Sequence, residues 1–291
     1  MLRRPAAPFA VALGCALSTT VVWLLAFQTS AGARLDSSVL DGFTGLRASR
    51  VEPLGHAASR LADPIPFALL AVVLVSIAVA RHRPRHALVV AVVLAGASVT
   101  TQLLKPLATV SRPADRPLVS PSADGWPSGH STAAMALALC LVLVAPPRWR
   151  PLAAAAGGVF AVAQGYGLLV MGWHYPSDVV GGFGVATGWL ALGVAAVRVA
   201  SGRGEERGLS GRTVFVPAAV AALAGAALAA GAVLLRPARA LAYAQEHTEF
   251  VAAAVVLGAA GLALAALTAA ALPLIERVPS DTERRTPAAQ R

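Results

Sequence analysis

Lysine is nearly missing from this chain: Lys105 stands alone among 24 basic residues, and the other 23 are arginine. Charge of any kind is scarce. Asp, Glu, Lys and Arg make up 13% of the 291 residues, while 57% are hydrophobic and the mean hydropathy is +0.68. An average soluble domain carries roughly 25% charged residues, so an ordinary soluble domain is excluded. The two cysteines, Cys15 and Cys140, both fall inside apolar runs, which argues for buried thiols and against a disulfide framework or a zinc site. Acidic residues number 14, leaving a net charge of +10. The arginines nevertheless come in short clusters between apolar runs, a pattern of membrane topology rather than of a nucleic-acid-binding surface.

What is present is a series of long apolar stretches. A membrane-spanning helix needs about 20 mainly apolar residues. Eight stretches approach that length, near 9–27, 64–80, 87–104, 128–145, 152–171, 178–197, 213–235 and 250–275. The fold class is therefore all-α, a polytopic membrane helix bundle. With the N-terminus inside, 15 basic residues fall in cytoplasmic segments and 9 outside, and the short loop Arg81 to His86 alone holds three arginines. Arg3 and Arg4 before an apolar run resemble a cleavable leader, but the run exceeds the usual h-region, and a retained first helix is expected. In the outer segment 28–63, Leu35, Val39, Phe43 and Leu46 recur at roughly helical spacing, which fits one or two short helices lying on the membrane surface.

Three polar segments carry nearly all the available chemistry, and this topology puts all three at the outer face. They are Lys105 to Pro113, leaving the third span; Trp126 to Ser131, opening the fourth; and His174 to Asp178, opening the sixth. Pro127 suits a first helical turn, where free N–H groups and the small Gly129 make an anion site. Ser128 adds a hydroxyl, and Lys105 and Arg112 add two cations, so the anion is read as a phosphate. His174 and Asp178 are four residues apart, a spacing that lets the carboxylate hold one ring nitrogen and free the other for attack. His130 remains for acid–base work. Two neighbouring cations oppose a divalent metal, so neither metal nor other cofactor is expected.

Taken in order, Lys105, Arg112 and Pro113, then Pro127, Ser128, Gly129 and His130, then His174 and Asp178 resemble the three motifs of the type 2 phosphatidic acid phosphatase (PAP2) superfamily. The resemblance implies a six-helix membrane phosphatase core over about residues 1–200. Beyond it would lie a two-helix membrane extension over 201–275 and a basic cytoplasmic tail over 276–291. It implies that His174 is the nucleophile forming a phosphohistidine, that Asp178 orients it and that His130 is the general acid. Lys105, Arg112, Ser128 and Gly129 would cradle the phosphoryl oxygens. The expected partners are a lipid phosphate or diphosphate and the surrounding membrane lipids, with no nucleic acid, and a homo-oligomer is left open.

The third motif is incomplete. Gly167 and Leu168 stand where the family has Ser-Arg, and no lysine or arginine occurs between Arg150 and Arg198. Either another group such as Arg116 replaces the missing cation, or the substrate needs less charge compensation, or the chain is a weakened relative. The reading from these residues is a lipid phosphatase at the outer face of the cell membrane. The alternatives are a phosphotransferase using the same intermediate and a non-enzymatic protein that binds an anionic lipid.

Overall fold

The computed structural model describes residues 6–47, 56–57, 59–108, 125–200 and 237–276. Its elements are helical: α1 (Ala6–Gln28), α2 (Ser30–Thr44), α3 (Pro64–Ala80), α4 (Pro84–Ala108), α5 (Gly129–Val144), α6 (Arg150–Val170), α7 (Pro176–Ala200), α8 (Pro237–Glu246) and α9 (Thr248–Glu276). Among the described residues, α1, α4, α6, α7 and α9 are long and apolar enough to cross a membrane. Helices α3 and α5 are apolar but shorter, at 17 and 16 residues. The expected span 213–235 lies outside the described residues.

Helix α5 is the axis of the bundle. It packs against α3, α4, α6, α7 and α9, and from Ser131 to Val144 only Leu141 escapes full burial. A helix sheathed by protein does not have to match the bilayer thickness with its own length, which accounts for its 16 residues. Close approach rests on small residues: a Cβ added at Gly157 of α6 would lie 3.0 Å from the Cβ of Ala138 of α5. Helix α1 runs along α7, and α9 lies against α6. Cys15 is half-buried, Cys140 is buried, and both are free thiols.

The segment 28–63, expected to lie on the membrane surface, contains helix α2, which packs against α1, α6 and α9 of the bundle. The Thr29 hydroxyl caps it by accepting from the N–H of Gly32 at 3.0 Å. Val39, Leu40 and Phe43 are then buried against the bundle, while Leu35 and Leu46 stay exposed. Asp36 lies on the buried side with them.

Two turns end in left-handed residues. After α6, Gly172 adopts φ 71° while its N–H donates to Leu169 O and that of Trp173 donates to Leu168 O, both at 3.0 Å. This double bond pattern closes the helix and swings the chain into His174 and α7. The turn between α3 and α4 uses the same pattern with His82, at φ 54°, in the position glycine normally takes.

Candidate active site

The second and third motifs meet at one end of the bundle. Ser128 is the N-cap of α5, its hydroxyl accepting from the N–H of Ser131 at 3.3 Å. Its own N–H donates to the carbonyl oxygen of Asp178 at 3.0 Å, which ties the start of α5 to the first turn of α7. Two glycines make room for this contact: a Cβ at Gly182 would lie 2.9 Å from Ser128 O, and one at Gly181 would lie 2.8 Å from Trp126 Nε1. Trp126 is buried against Trp23 and Phe27 of α1, each with ring centroids 6.4 Å away.

His174 and Asp178 form the expected pair. Nδ1 of His174 lies 3.3 Å from Oδ2 of Asp178, and the same oxygen accepts from the N–H of Tyr175 at 2.8 Å. Both residues are buried, Asp178 more completely. A carboxylate held this way favours the tautomer with hydrogen on Nδ1, leaving Nε2 with its lone pair.

Gly129 opens α5 with Thr101 Cγ2 of α4 just 4.0 Å from where a Cβ would stand. The hydroxyls of Thr101 and Thr132 are 3.3 Å apart, and that of Thr132 donates to Ser128 O at 2.8 Å. Lys105 follows Thr101 by one turn, half-buried in the last turn of α4, so the sole ammonium sits at the same end as the α5 N-terminus. Arg112 and Arg116 lie outside the described residues. Leu168, where the missing cation was expected, is buried in the last turn of α6 with 1% of its surface exposed.

Two aspartates at this end were not anticipated. Asp63 precedes Pro64 at the N-cap of α3, but its side chain makes no cap bond; its Oδ1 instead faces His130 Nε2 at 3.3 Å. Asp36 accepts from both the N–H and the hydroxyl of Ser177, at 2.9 and 2.6 Å, which fixes α2 to the start of α7. A signal for Asp36 was present: a carboxylate in the apolar stripe with Val39, Leu40 and Phe43 cannot be buried without donors. Nothing local to Asp63 distinguishes it from an ordinary helix cap.

The model of the PAP2 superfamily matches residues 66–201, which hold the second and third motifs and Lys105. Among solved structures, the fold resembles the crystal structure of the first transmembrane PAP2 type phosphatidylglycerolphosphate phosphatase from Bacillus subtilis. The TM-score is 0.55 at 22% identity, and the match covers 66% of this chain and 97% of that one. No curated protein sequence matches the chain. With several helices apolar enough to span a membrane and a transmembrane protein of similar fold, the chain is a multi-pass membrane protein whose residues 66–201 match the PAP2 superfamily.

Proposed function

We propose that this protein is a membrane-embedded phosphatase that hydrolyses a lipid phosphate or diphosphate through a phosphohistidine. The observation that carries the reading is the bond from Ser128 N–H to Asp178 O, which joins an N-terminal anion site to a carboxylate-held histidine. In the first step Nε2 of His174 attacks phosphorus, forming the N–P bond as the P–O bond to the lipid breaks, and His130 gives its proton to the departing oxygen. In the second, water attacks the phosphohistidine, His130 takes the proton back, and Nε2 leaves with its electron pair. Lys105, Arg112, Ser128 and the N–H groups opening α5 hold the phosphoryl oxygens. Asp63 steadies the His130 ring through Nε2, which leaves Nδ1 for the substrate.

The face is read from the arginine distribution, which puts this end of the bundle outside. The helices up to residue 200 would form the phosphatase core, and the segment 201–275 a membrane extension followed by a basic tail. Single cysteines replacing Asp124 and Gly204, in a background lacking Cys15 and Cys140, should label from opposite sides of the membrane. Labelling from one side would remove the outward assignment.

The buried Leu168 at the arginine position favours a second reading, a non-enzymatic member that binds an anionic lipid. Phosphate release from a panel of lipid phosphates and diphosphates separates the two. Release by the wild-type protein that is lost in His174→Ala supports the phosphatase; no release from any member of the panel supports the binding protein. An alcohol acceptor that takes the phosphoryl group in place of water would identify a phosphotransferase.

A further inference from the structure

Helix α5 starts and α6 ends near the candidate active site, so the two run antiparallel, and they touch along a seam of small residues where a Cβ added at Gly157 would lie 3.0 Å from that of Ala138. Seven positions from this contact toward the candidate active site stand Ser131 on α5 and Gln164 on α6. Seven residues are two helical turns less about 20°, a rise of about 10.5 Å on each helix. Ser131 and Gln164 are therefore level with each other and on the facing sides of the two helices.

Both side chains are enclosed, with 0% of Ser131 and 1% of Gln164 exposed. Among the described residues, the Ser131 hydroxyl, Gln164 Oε1 and Gln164 Nε2 all lack a hydrogen-bond partner. The seam around them is apolar. Ala134, Ala138 and Ala161 are buried on its inner side, and Leu168, one turn beyond Gln164, is buried above it. Three polar atoms buried at one level of such a seam are costly without a ligand that both donates and accepts.

We infer that Ser131 and Gln164 form a binding site for one small neutral polar molecule, water, between α5 and α6. The Cα–Cβ bond of a helical residue tilts toward its own N-terminus, so in this antiparallel pair the hydroxyl leans toward the active-site end and the amide leans away from it. That offset opposes a direct bond and suits a bridging molecule. A hydroxyl and a primary amide offer donors and acceptors but no charge, which matches water and not an ion. The N–H of Ser131 also makes the cap bond to Ser128 Oγ, so the water fastens the turn carrying Ser128 and His130 to α6. This tie does not require that the site be catalytic.

The test is a double-mutant cycle read by thermal unfolding of the full chain, joined to an experimental structure at a resolution that shows ordered water. Ser131→Ala and Gln164→Met each leave one side of the site without its counterpart and should lower Tm by about 4–8 °C. The double variant removes every polar atom of the site and should lose clearly less than the sum of the two. The same coupling should appear in a His174→Ala background, which separates this result from the fate of the phosphatase reading. The structure should show water within about 2.7–3.2 Å of Ser131 Oγ and of one Gln164 amide atom. Additive Tm changes, a rise in Tm in either single variant, or a direct bond between the two side chains would each overturn the inference.

Discussion

The backbone N–H of Ser128 donates to the carbonyl oxygen of Asp178 across 3.0 Å, although fifty positions separate the two residues. One peptide group thus sets the distance between the start of α5 and the carboxylate that faces His174. The side chain of Asp178 has a second local duty, accepting from Tyr175 N–H while it faces the imidazole. Its charge and its capping role can be separated by substitution.

Asp178→Asn should retain most of the capping geometry but remove the preference for the tautomer that leaves Nε2 free. We expect kcat to fall by about 10³–10⁴-fold, the scale of the loss when the orienting aspartate of a serine-protease triad becomes asparagine, with Tm little changed. Asp178→Ala should add a stability loss of about 1 kcal/mol from the missing cap. A near-normal kcat in Asp178→Asn would show that His174 is not the nucleophile.

The contact between Asp63 and His130 predicts a dependence on the leaving group. If Asp63 orients His130 for proton donation, Asp63→Asn should reduce turnover of a lipid phosphate by about tenfold, within the range for loss of a supporting partner. A phosphate ester with an acidic phenol as leaving group needs little protonation and should be hydrolysed at close to the wild-type rate. Equal losses on both substrates would mean that Asp63 acts on folding or binding instead.

Asp36 links α2 to Ser177 through two donors, and both residues are buried. Asp36→Ala leaves the Ser177 hydroxyl and N–H without this acceptor and should cost about 3 kcal/mol, whereas Asp36→Asn should cost less because one oxygen remains. Denaturant or thermal unfolding of the three proteins would give this order. Equal stability in Asp36→Ala would mean that α2 is not a support for the start of α7.

Long apolar runs made the spans readable, because hydropathy alone identifies a helix that must satisfy its backbone in lipid. Helix α5 was readable too, but its central position was not, since an all-apolar helix looks the same facing lipid or protein. The pair His174 and Asp178 was legible from i to i+4 spacing. The contacts of Asp36 with Ser177 and of Asp63 with His130 bridge 141 and 67 positions, and no local periodicity encodes such a pairing. A helix was expected from Leu35, Val39, Phe43 and Leu46, and one forms, but only Val39 and Phe43 fall on its buried face, because spacing suggests a helix without giving what covers it. Leu168 could be recognised as a departure from the motif, whereas its burial had to come from the packing at the end of α6.

Leu168 gives the sharpest test of how the site meets a phosphoryl group. Its side chain has 1% of its surface exposed, and its carbonyl closes the α6 cap by accepting from Trp173 N–H. Leu168→Arg keeps that backbone bond but puts a guanidinium into a buried position, which should destabilise the protein by several kcal/mol when no anion is near. If the position faces the phosphoryl site, as the family motif implies, vanadate should recover most of the lost Tm and inhibit about tenfold more tightly than in the wild type, since a charge-assisted contact contributes about 1.5–3 kcal/mol. If Arg116 already supplies the missing charge, the added arginine should leave inhibition unchanged, and Arg116→Ala should be as damaging as Arg112→Ala. A Tm loss that vanadate does not reverse, together with a silent Arg116→Ala, would reject both routes to charge compensation. That result would favour a site adapted to a less charged ligand, because Lys105 and Arg112 would then be the only cations from the motifs left to meet it.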